Sequence, residues 1–418
     1  MTSTEPSLIP QFERVRQFSD RITESLSPED CMVQSMEDAS PVRWHLAHTT
    51  WFFETFVLKR DPLYQPFDEH FAYLFNSYYN AIGEQFPRPH RGTISRPGLR
   101  SIREYRSYVD RELIKRLQSP KFEQEFGEII AVGLNHEQQH QELILTDIKH
   151  ALSANPILPV YEDLPIAAAK KLDNKPHTQS LDFAAGQYEI GHQSPGFCFD
   201  NELPCHTVFL PEFSVASELV TCGQFINFIE DDGYKRPELW LSLGWNTVAA
   251  KDWNAPLYWI RNDDQWMQFT LAGLVPVNPD WPVCHVSYFE ADAYARWAGK
   301  RLPTEFEWEV ACQRSLSTND IGQFADKLFA DALAIHPTLA SNGLAGSVWQ
   351  WTSSSYQAYP GYRPLPGAIG EYNSKFMCNQ YVLRGGSVAT SSTHFRATYR
   401  NFFPAQTRWQ FSGFRLAN

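Results

Sequence analysis

A change of composition partway along the chain constrains the fold more than any other feature of the sequence. Eleven of the thirteen tryptophans lie beyond residue 180, a region that is also rich in glycine and in short apolar runs. Residues 1–152 instead hold long segments in which apolar positions recur with the 3.6-residue period of an α-helix. At 418 residues the chain also exceeds one ordinary domain. The sequence therefore predicts two domains of different class.

The first domain is predicted to be a bundle of about four long helices. In Asp38-Ala39-Ser40-Pro41, Ser40 fits the N-cap and Pro41 the first position of a helix that carries VRWHLAHTTWFFETFVL. Another helix is expected from about Lys121 to Leu152, because the Asn155-Pro156 pair stops it. Residues 153–180 are rich in proline and alanine without a sustained period, which predicts a linker. Residues 181–418 are predicted to form an α+β domain with many loops.

The overall charge excludes two classes of partner. The formal net charge is −12, whereas binding to nucleic acid or to an anionic membrane needs clustered positive charge. The seven cysteines are widely spaced and include no Cys-x-x-Cys pair, so a disulfide framework is not expected. The N-terminal stretch lacks an apolar leader, and no run of eighteen apolar residues occurs. These features predict a cytoplasmic protein.

The stretch NHEQQHQE holds a literal H-E-x-x-H. His136 and His140 lie four residues apart on the predicted helix, so their imidazoles lean toward one point, as a shared metal requires. Ile129 and Leu143 lie on the same side, which predicts that both histidines interrupt an apolar, inward stripe. Buried imidazoles need partners for their lone pairs and N–H groups. A metal supplies such a partner, and separate hydrogen bonds in the core are the alternative.

The zinc peptidases built on H-E-x-x-H need a third ligand in a set place. The extended motif would put a glycine and a histidine where this chain has Leu143 and Thr146. The other form needs a glutamate on a following helix, but the next candidate, Glu162, lies among prolines. Both comparisons argue against a zinc peptidase.

A third histidine is available on the earlier helix. His48 shares a helical face with Trp44 and Trp51, while His45 is turned away from that face by about 60°. Three imidazoles from two helices predict a metal site with open positions. Zinc, nickel and Fe(II) all accept nitrogen ligands of this kind, and spacing does not choose among them.

At these residues the sequence resembles the sulfoxide synthases of ergothioneine biosynthesis, which are non-heme iron enzymes. They join a DinB-like four-helix bundle to a formylglycine-generating-enzyme-like, C-type-lectin-related α+β domain. The resemblance covers nearly the whole chain and implies that residues 181–418 complete the substrate pocket. Its motifs are WHLAHTTWFFE (44–54), HEQQHQELILTDIKHAL (136–152), GLAGSVWQWTSS (343–354), VLRGGSV (382–388), RATYRNFFP (396–404) and FSGFRLA (411–417).

The resemblance implies that His48, His136 and His140 bind Fe(II). The implied reaction joins an amino-acid thiol to the imidazole carbon between the ring nitrogens of hercynine (Nα-trimethylhistidine), and the sulfur leaves as a sulfoxide. Dioxygen would accept all four electrons. Zinc cannot activate oxygen and iron can, so a redox-active metal agrees with this chemistry.

The resemblance also implies roles for residues elsewhere in the first domain. Tyr78 and Tyr79 match the tyrosine pair of the subgroup that carries its catalytic tyrosine on the helical domain, and Tyr78 is favoured as the proton donor. Arg88 and Arg91 match arginines that hold the carboxylate of the thiol substrate. Gln139 matches a glutamine that contacts hercynine. Aromatic packing and solvated arginines are the plainer alternatives.

In the second domain, Asn401 matches an asparagine that holds the trimethylated substrate, and Phe402 and Trp409 could shelter its ammonium group. Phe403 stands where relatives that use γ-glutamylcysteine carry an acidic residue. Losing that carboxylate removes a partner for the substrate's ammonium group, which favours free cysteine as the thiol donor. The cysteine pair of the formylglycine-generating relatives has no counterpart here.

Two other functions stay open on the sequence. One is an ovothiol-type 5-histidylcysteine sulfoxide synthase, although the chain lacks the nucleotide loop of the methyltransferase domain that such enzymes carry. The other is a non-oxidative metal protein, either a zinc hydrolase or a lectin-like binding module. The expected partners are small molecules, namely hercynine, cysteine or γ-glutamylcysteine, and dioxygen. Assembly into a homo-oligomer is left open.

Overall fold

The structure is a computed structural model that describes residues 8–168, 180–316, 322–339, 343–365 and 373–418. The chain divides into two compact units. The first comprises residues 1–156 with 365–372, and the second residues 157–364 with 373–418. Among the described helices, none combines the length and the apolar character needed to cross a lipid bilayer.

The first unit is helical in its described part. Its helices are α1 (Leu8–Arg21), α2 (Val42–Phe56), α3 (Phe71–Leu74), α4 (Leu99–Leu117) and α5 (Pro120–Ser153). The four long helices confirm the predicted bundle, in which α2 packs against α4 and α5, and α1 packs against α5. The helix expected from about Lys121 is α5, which starts one residue earlier, with proline at its first position.

Helix α2 lies at the centre of the bundle, because every one of its residues except Thr55 is buried. The predicted start of α2 is corrected by the structure. Pro41 is the N-cap, and its carbonyl accepts the backbone N–H groups of Trp44 and His45. The hydroxyl of Ser40 does not cap the helix but accepts a hydrogen bond from Arg91 at 3.0 Å.

Close packing of α2 against α5 depends on Gly133 of α5. A Cβ atom at this position would lie 2.5 Å from a ring atom of Phe53 and 2.9 Å from the ring of Phe52. The missing side chain therefore lets the aromatic rings of α2 approach the backbone of α5, one turn before His136.

The second unit is mixed α+β, as predicted. Its helices are α6 (Cys222–Glu230), α7 (Ser242–Lys251), α8 (Tyr288–Trp297), α9 (Glu305–Leu316) and α10 (Ala325–Ala330). Its strands are β1 (Ser180–Phe183), β2 (Gly186–Ile190), β3 (His206–Leu210), β4 (Phe213–Ala216), β5 (Trp259–Asn262), β6 (Gln265–Thr270), β7 (Gly273–Pro276), β8 (Trp349–Ser355), β9 (Gln380–Arg384), β10 (Asn401–Pro404) and β11 (Ser412–Gly413).

The described strands form four small sheets. The largest has the order β10-β9-β8-β11, with β11 parallel to β8 and the other pairs antiparallel. The sheet β5-β6-β7 and the pairs β1-β4 and β2-β3 are antiparallel. Short strands joined by long loops explain why this region shows no sustained sequence period.

Part of the region interpreted as a linker packs in the second unit. The N–H group of Tyr161 donates to the carbonyl of Leu271, and the carbonyl of Pro165 accepts from the N–H group of Ala334. Residues 169–179, the rest of that region up to β1, lie outside the described residues.

Buried ion pairs brace the sheet that carries β10. The guanidinium of Arg400 donates to both carboxylate oxygens of Glu305 on α9, at 2.8 and 3.0 Å. On β9, Arg384 pairs with Glu309 of the same helix, and both side chains are fully buried. These ion pairs therefore hold β9, and the residue that precedes β10, against α9.

Candidate metal centre

Three imidazoles converge inside the first unit. His48 of α2 and His136 and His140 of α5 are all buried, and each offers one ring nitrogen within 4.8 Å of the others. Nε2 of His48 lies 3.2 Å from Nε2 of His136. Two nitrogens bound to one metal at about 2.1 Å, with angles of about 90–109°, lie about 3.0–3.4 Å apart. The separation of these two atoms therefore fits a shared metal ion.

The protonation of His48 follows from its neighbour. Its Nδ1 lies 2.6 Å from the backbone carbonyl oxygen of Phe75, and a carbonyl can only accept, so Nδ1 carries the hydrogen. The lone pair of His48 is therefore on Nε2. Burial lowers the pKa of His48 and of His140 well below the ordinary value, and it lowers the pKa of His136 to about 3. All three rings are neutral at pH 7, as metal binding requires.

A fourth histidine also reaches the centre, so the prediction that His45 turns away is wrong. Its Nδ1 lies 2.7 Å from Nδ1 of His140, and its Nε2 lies 3.0 Å from Oδ2 of Asp147. The prediction assumed that α2 has one inner face. Because α2 is buried on nearly all sides, a histidine about 60° from the His48 face still meets α5.

Stacked rings hold the imidazole of His48 in place. Trp44 stacks on it with ring centroids 4.6 Å apart, and Trp51 stacks on its other side at 5.6 Å. These residues are spaced four and three positions apart on α2, which is the predicted helical face. The guanidinium of Arg91 lies 3.4 Å above the ring of Trp44 and extends the column.

The glutamate of the H-E-x-x-H motif belongs to a separate cluster of buried hydrogen bonds. Glu137 is fully buried, and its carboxylate accepts hydrogen bonds from Arg16 at 2.7 Å, Arg106 at 2.9 Å and Ser19 at 2.6 Å. Burial alone would raise the pKa of Glu137, but the two arginine charges outweigh it and lower the pKa to about 2. A carboxylate held in this way cannot act as the general base of a zinc peptidase.

The two tyrosines predicted to act in catalysis lie side by side, with ring centroids 4.8 Å apart. Tyr79 is fully buried, and its ring lies 5.7 Å from Trp51 and 6.4 Å from Phe52. Both of these neighbours also touch ligand candidates, since Trp51 stacks on His48 and Phe52 lies against His136. Tyr78 is half-buried.

Arg88 and Arg91 differ in environment. Arg91 is buried, and its guanidinium donates to the hydroxyls of Ser40 at 3.0 Å and Ser77 at 3.2 Å. Arg88 is exposed and donates to the backbone carbonyl of Asp38. Neither arginine forms a salt bridge with a carboxylate among the residues that the structure describes. Burial lowers the pKa of Arg91, and the charge of Arg88 adds to the effect.

The remaining predicted residues lie on α5 and on β10. Gln139 is half-buried on α5, beside His140. On β10, the two-residue alternation of a strand puts Asn401 and Phe403 on one face and Phe402 on the other. Phe402 stacks on Tyr356 with ring centroids 4.0 Å apart. Phe402 therefore lies on the opposite face of β10 from Asn401 and Phe403.

Sequence reasoning missed three groups around the imidazoles: His45, Asp147 and the carbonyl of Phe75. One signal could have revealed Asp147, which lies seven residues after His140 and therefore on the same side of α5. The carbonyl of Phe75 gives no sequence signal, because any residue supplies one.

The chain matches two family models. The model of the DinB superfamily matches residues 11–144. The model of the sulfatase-modifying factor enzyme 1-like domain matches residues 167–331 and 338–418. Both matches agree with the division into a helical and an α+β unit.

Three curated relatives share substantial sequence. A hercynine oxygenase of Mycobacterium tuberculosis is 30% identical over 400 residues, which are 90% of this chain and 91% of the relative. A hercynine oxygenase of Mycolicibacterium thermoresistibile is 33% identical over 322 residues, covering 70% of this chain and 68% of the relative. A formylglycine-generating enzyme of Streptomyces coelicolor is 36% identical over 276 residues, covering 56% of this chain and 87% of the relative.

Proposed function

This chain belongs to the hercynine oxygenase family, and on that premise we propose that it is an Fe(II)- and dioxygen-dependent sulfoxide synthase of ergothioneine biosynthesis. Its substrates on this proposal are hercynine and free cysteine. The observation that carries the proposal is the convergence of three buried, neutral imidazoles in a chain that is similar over 90% of its length to a hercynine oxygenase.

The proposed reaction joins the cysteine sulfur to C2 of the hercynine imidazole and oxidises that sulfur to a sulfoxide. Carbon–sulfur bond formation removes two electrons, sulfur oxidation removes two more, and dioxygen accepts all four. The hydrogens of the thiol and of the ring carbon leave as one water molecule, which takes one oxygen atom. The other oxygen atom stays on sulfur, so no further oxidant or reductant is needed.

The donor set suits the metal that this chemistry needs. Fe(II), when bound, would supply the redox reactivity toward dioxygen that zinc lacks. His48 and His136 would hold it through Nε2, the atoms that lie 3.2 Å apart. His140 would also use Nε2, because its Nδ1 is engaged by His45. Three ligands from the chain leave positions open for substrates.

Arg91 is proposed to hold the carboxylate of cysteine. Arg91 has no carboxylate partner in the part of the chain that the structure describes, which is costly for a buried guanidinium, and a substrate carboxylate would supply the missing charge. The position of Arg91 supports this role, because its charge contributes to the lowered pKa of both His48 and His140. Replacing Arg91 by glutamine is expected to raise the KM for cysteine much more than that for hercynine. An equal rise for both substrates would contradict the assignment.

Three further residues are candidates for binding hercynine or for selecting the thiol substrate. We assign Gln139 and Asn401 to hercynine on the basis of the family motifs. Phe403 offers no charge to the extra groups of γ-glutamylcysteine, which supports free cysteine as the donor. Competition between the two thiols, with both products quantified, tests this choice. Preferential use of γ-glutamylcysteine would reject it.

The test of the proposed function joins metal analysis to turnover. Anaerobically purified protein loaded with Fe(II) should consume one dioxygen per sulfoxide when hercynine and cysteine are supplied together. Replacing His136 by alanine should abolish both iron binding and turnover. The matched control is His150→Ala, a histidine of the same helix that lies outside the convergent set and whose Nδ1 is 2.7 Å from the hydroxyl of Ser35. Retained turnover in His136→Ala would remove the proposed centre.

A further inference from the structure

A chain of hydrogen bonds runs from His140 to a buried carboxylate. Nδ1 of His140 lies 2.7 Å from Nδ1 of His45, and Nε2 of His45 lies 3.0 Å from Oδ2 of Asp147. The backbone N–H of Ser40 donates to the same oxygen of Asp147 at 2.8 Å. The side chains of His140, His45 and Asp147 are all buried, so water does not compete for these bonds.

The direction of each hydrogen bond follows from the carboxylate end. An ionised carboxylate only accepts, so Nε2 of His45 carries a hydrogen and donates it to Asp147. With its single ring hydrogen on Nε2, His45 has its lone pair on Nδ1. The hydrogen between the two rings must therefore belong to Nδ1 of His140, and the lone pair of His140 is on Nε2. One carboxylate thus sets the tautomer of two imidazoles in series.

The partner of His140 differs in kind from that of His48. Nδ1 of His48 donates to the neutral backbone carbonyl of Phe75, which carries no net charge. His140 instead donates to an imidazole that is itself hydrogen-bonded to a carboxylate. Partners of a ligating histidine fix its ring and raise its basicity, and a charged partner does so more strongly than a neutral one. The two ligand candidates are therefore unequal donors.

We propose that His45 and Asp147 are positioning residues of the metal centre, which orient the ring of His140 with Nε2 toward the metal and make it the more electron-rich ligand. This inference rests on the proposed function, because it assumes that the three imidazoles bind a metal. It assigns a role to the first histidine of the Trp-His-Leu-Ala-His stretch and to Asp147. Neither residue belongs to the set of described side chains whose ligand atoms converge.

The test measures metal affinity in the full-length protein without substrates. Dissociation constants for Fe(II), under anaerobic conditions, and for Co(II) are obtained by competition with a chelator. The variants are His45→Phe, Asp147→Asn and the double variant. Asparagine keeps the shape of Asp147 and an oxygen for Ser40 but removes the charge. Glu54→Gln is the matched control, because Glu54 is a buried carboxylate of α2 that accepts hydrogen bonds from the hydroxyls of Tyr64 and Tyr105.

The expected losses of metal affinity follow from the order of the three side chains along the hydrogen-bonded series. His45→Phe should weaken metal binding by roughly 10- to 100-fold, and Asp147→Asn by about 10-fold. The double variant should bind like His45→Phe alone, because the carboxylate acts only through His45. Glu54→Gln should leave the affinity within about 2-fold of the wild type. Asp147→Asn should also raise the Fe(III)/Fe(II) midpoint potential, since a less electron-rich His140 stabilises Fe(III) less.

Several outcomes overturn the inference while the proposed function stands. If Asp147→Asn keeps the metal affinity and the midpoint potential of the wild type, the charge of Asp147 does not affect His140 as a ligand. If the loss of metal-binding free energy in the double variant equals the sum of the losses in the two single variants, Asp147 does not act through His45. If Glu54→Gln loses as much metal affinity as Asp147→Asn, the loss is a general effect of neutralising a buried carboxylate. If His45→Phe fails to fold, His45→Gln takes its place in the cycle. A wild-type protein that binds neither metal would instead reject the proposed function.

Discussion

At the scale of single residues, the carboxylate of Glu137 stabilises the helical bundle. It lies between the two ligand candidates of α5 in sequence, yet it ties α5 to Arg16 of α1 and Arg106 of α4. A helix turns by about 100° per residue, so the residue after His136 leaves the metal face and meets the other helices of the bundle. The same motif letters therefore serve two unrelated purposes.

The free energy of unfolding should depend on pH through Glu137. Its pKa is lowered from 4.5 to about 2, so its contribution is present above pH 4.5 and is lost as the pH falls toward 2. At pH 7, Glu137→Gln is expected to lower the free energy of unfolding of the metal-free protein by about 3 kcal/mol. Denaturant titrations at several pH values check this. A difference between variant and wild type that does not shrink below pH 4.5 would contradict the assignment.

The tyrosine pair gives a second prediction at this scale. We expect Tyr78→Phe to keep iron affinity and stability but to slow sulfoxide formation by roughly 10²- to 10⁴-fold, or to divert turnover to oxidation of the thiol. Tyr79→Phe tests the other tyrosine of the pair, which is fully buried among aromatic rings. Product analysis under single-turnover conditions distinguishes the two. Unchanged rate and product partition in Tyr78→Phe would reject its role as the proton donor.

At the scale of elements, the separation of α2 and α5 decides whether a metal fits. His48 is on one helix and His136 is on the other, so the distance between their nitrogens depends on how closely the helices pack. Gly133 sets that distance, because it brings the rings of Phe52 and Phe53 against the backbone of α5. The ring of Phe52 in turn lies 5.1 Å from that of His136.

Adding one methyl group at this contact should disturb the centre. Gly133→Ala is expected to lower the free energy of unfolding by about 1–3 kcal/mol and to weaken metal binding, because the new Cβ pushes α5 away from α2. Gly127→Ala on the same helix is the control, since its Cβ would lie an ordinary 3.5 Å from Leu8. That change should stabilise the helix by up to about 1 kcal/mol and leave metal affinity unchanged. Equal effects of the two substitutions on metal affinity would contradict this account.

At the scale of the whole molecule, the candidate metal centre belongs to one unit. The three imidazoles, the carbonyl of Phe75 that accepts from His48, and the His45–Asp147 pair beside His140 all lie before residue 156. Asn401 and Phe403 lie in the other unit. Among the described residues, the candidate metal centre therefore draws on the first unit alone.

A fragment of residues 1–156 tests this division. It should give the far-ultraviolet circular dichroism of a helical bundle and bind Fe(II) or Co(II) with an affinity similar to that of the full chain. The same chelator competition measures both proteins, and the fragment should show no sulfoxide formation. A helical fragment without metal binding would show that residues beyond 156 are needed for the centre.

The sequence by itself determined the two domain classes, the helix that carries His136 and His140, and the shared face of Trp44, His48 and Trp51. These features depend on composition and on the 3.6-residue period, which are properties of neighbouring positions. Tertiary structure alone decided that His45 meets His140, that Glu137 faces two arginines, and that Phe402 stacks on Tyr356. Those contacts join residues that are distant in the sequence, and a helix buried on every side offers no polar face from which its periodicity could predict them.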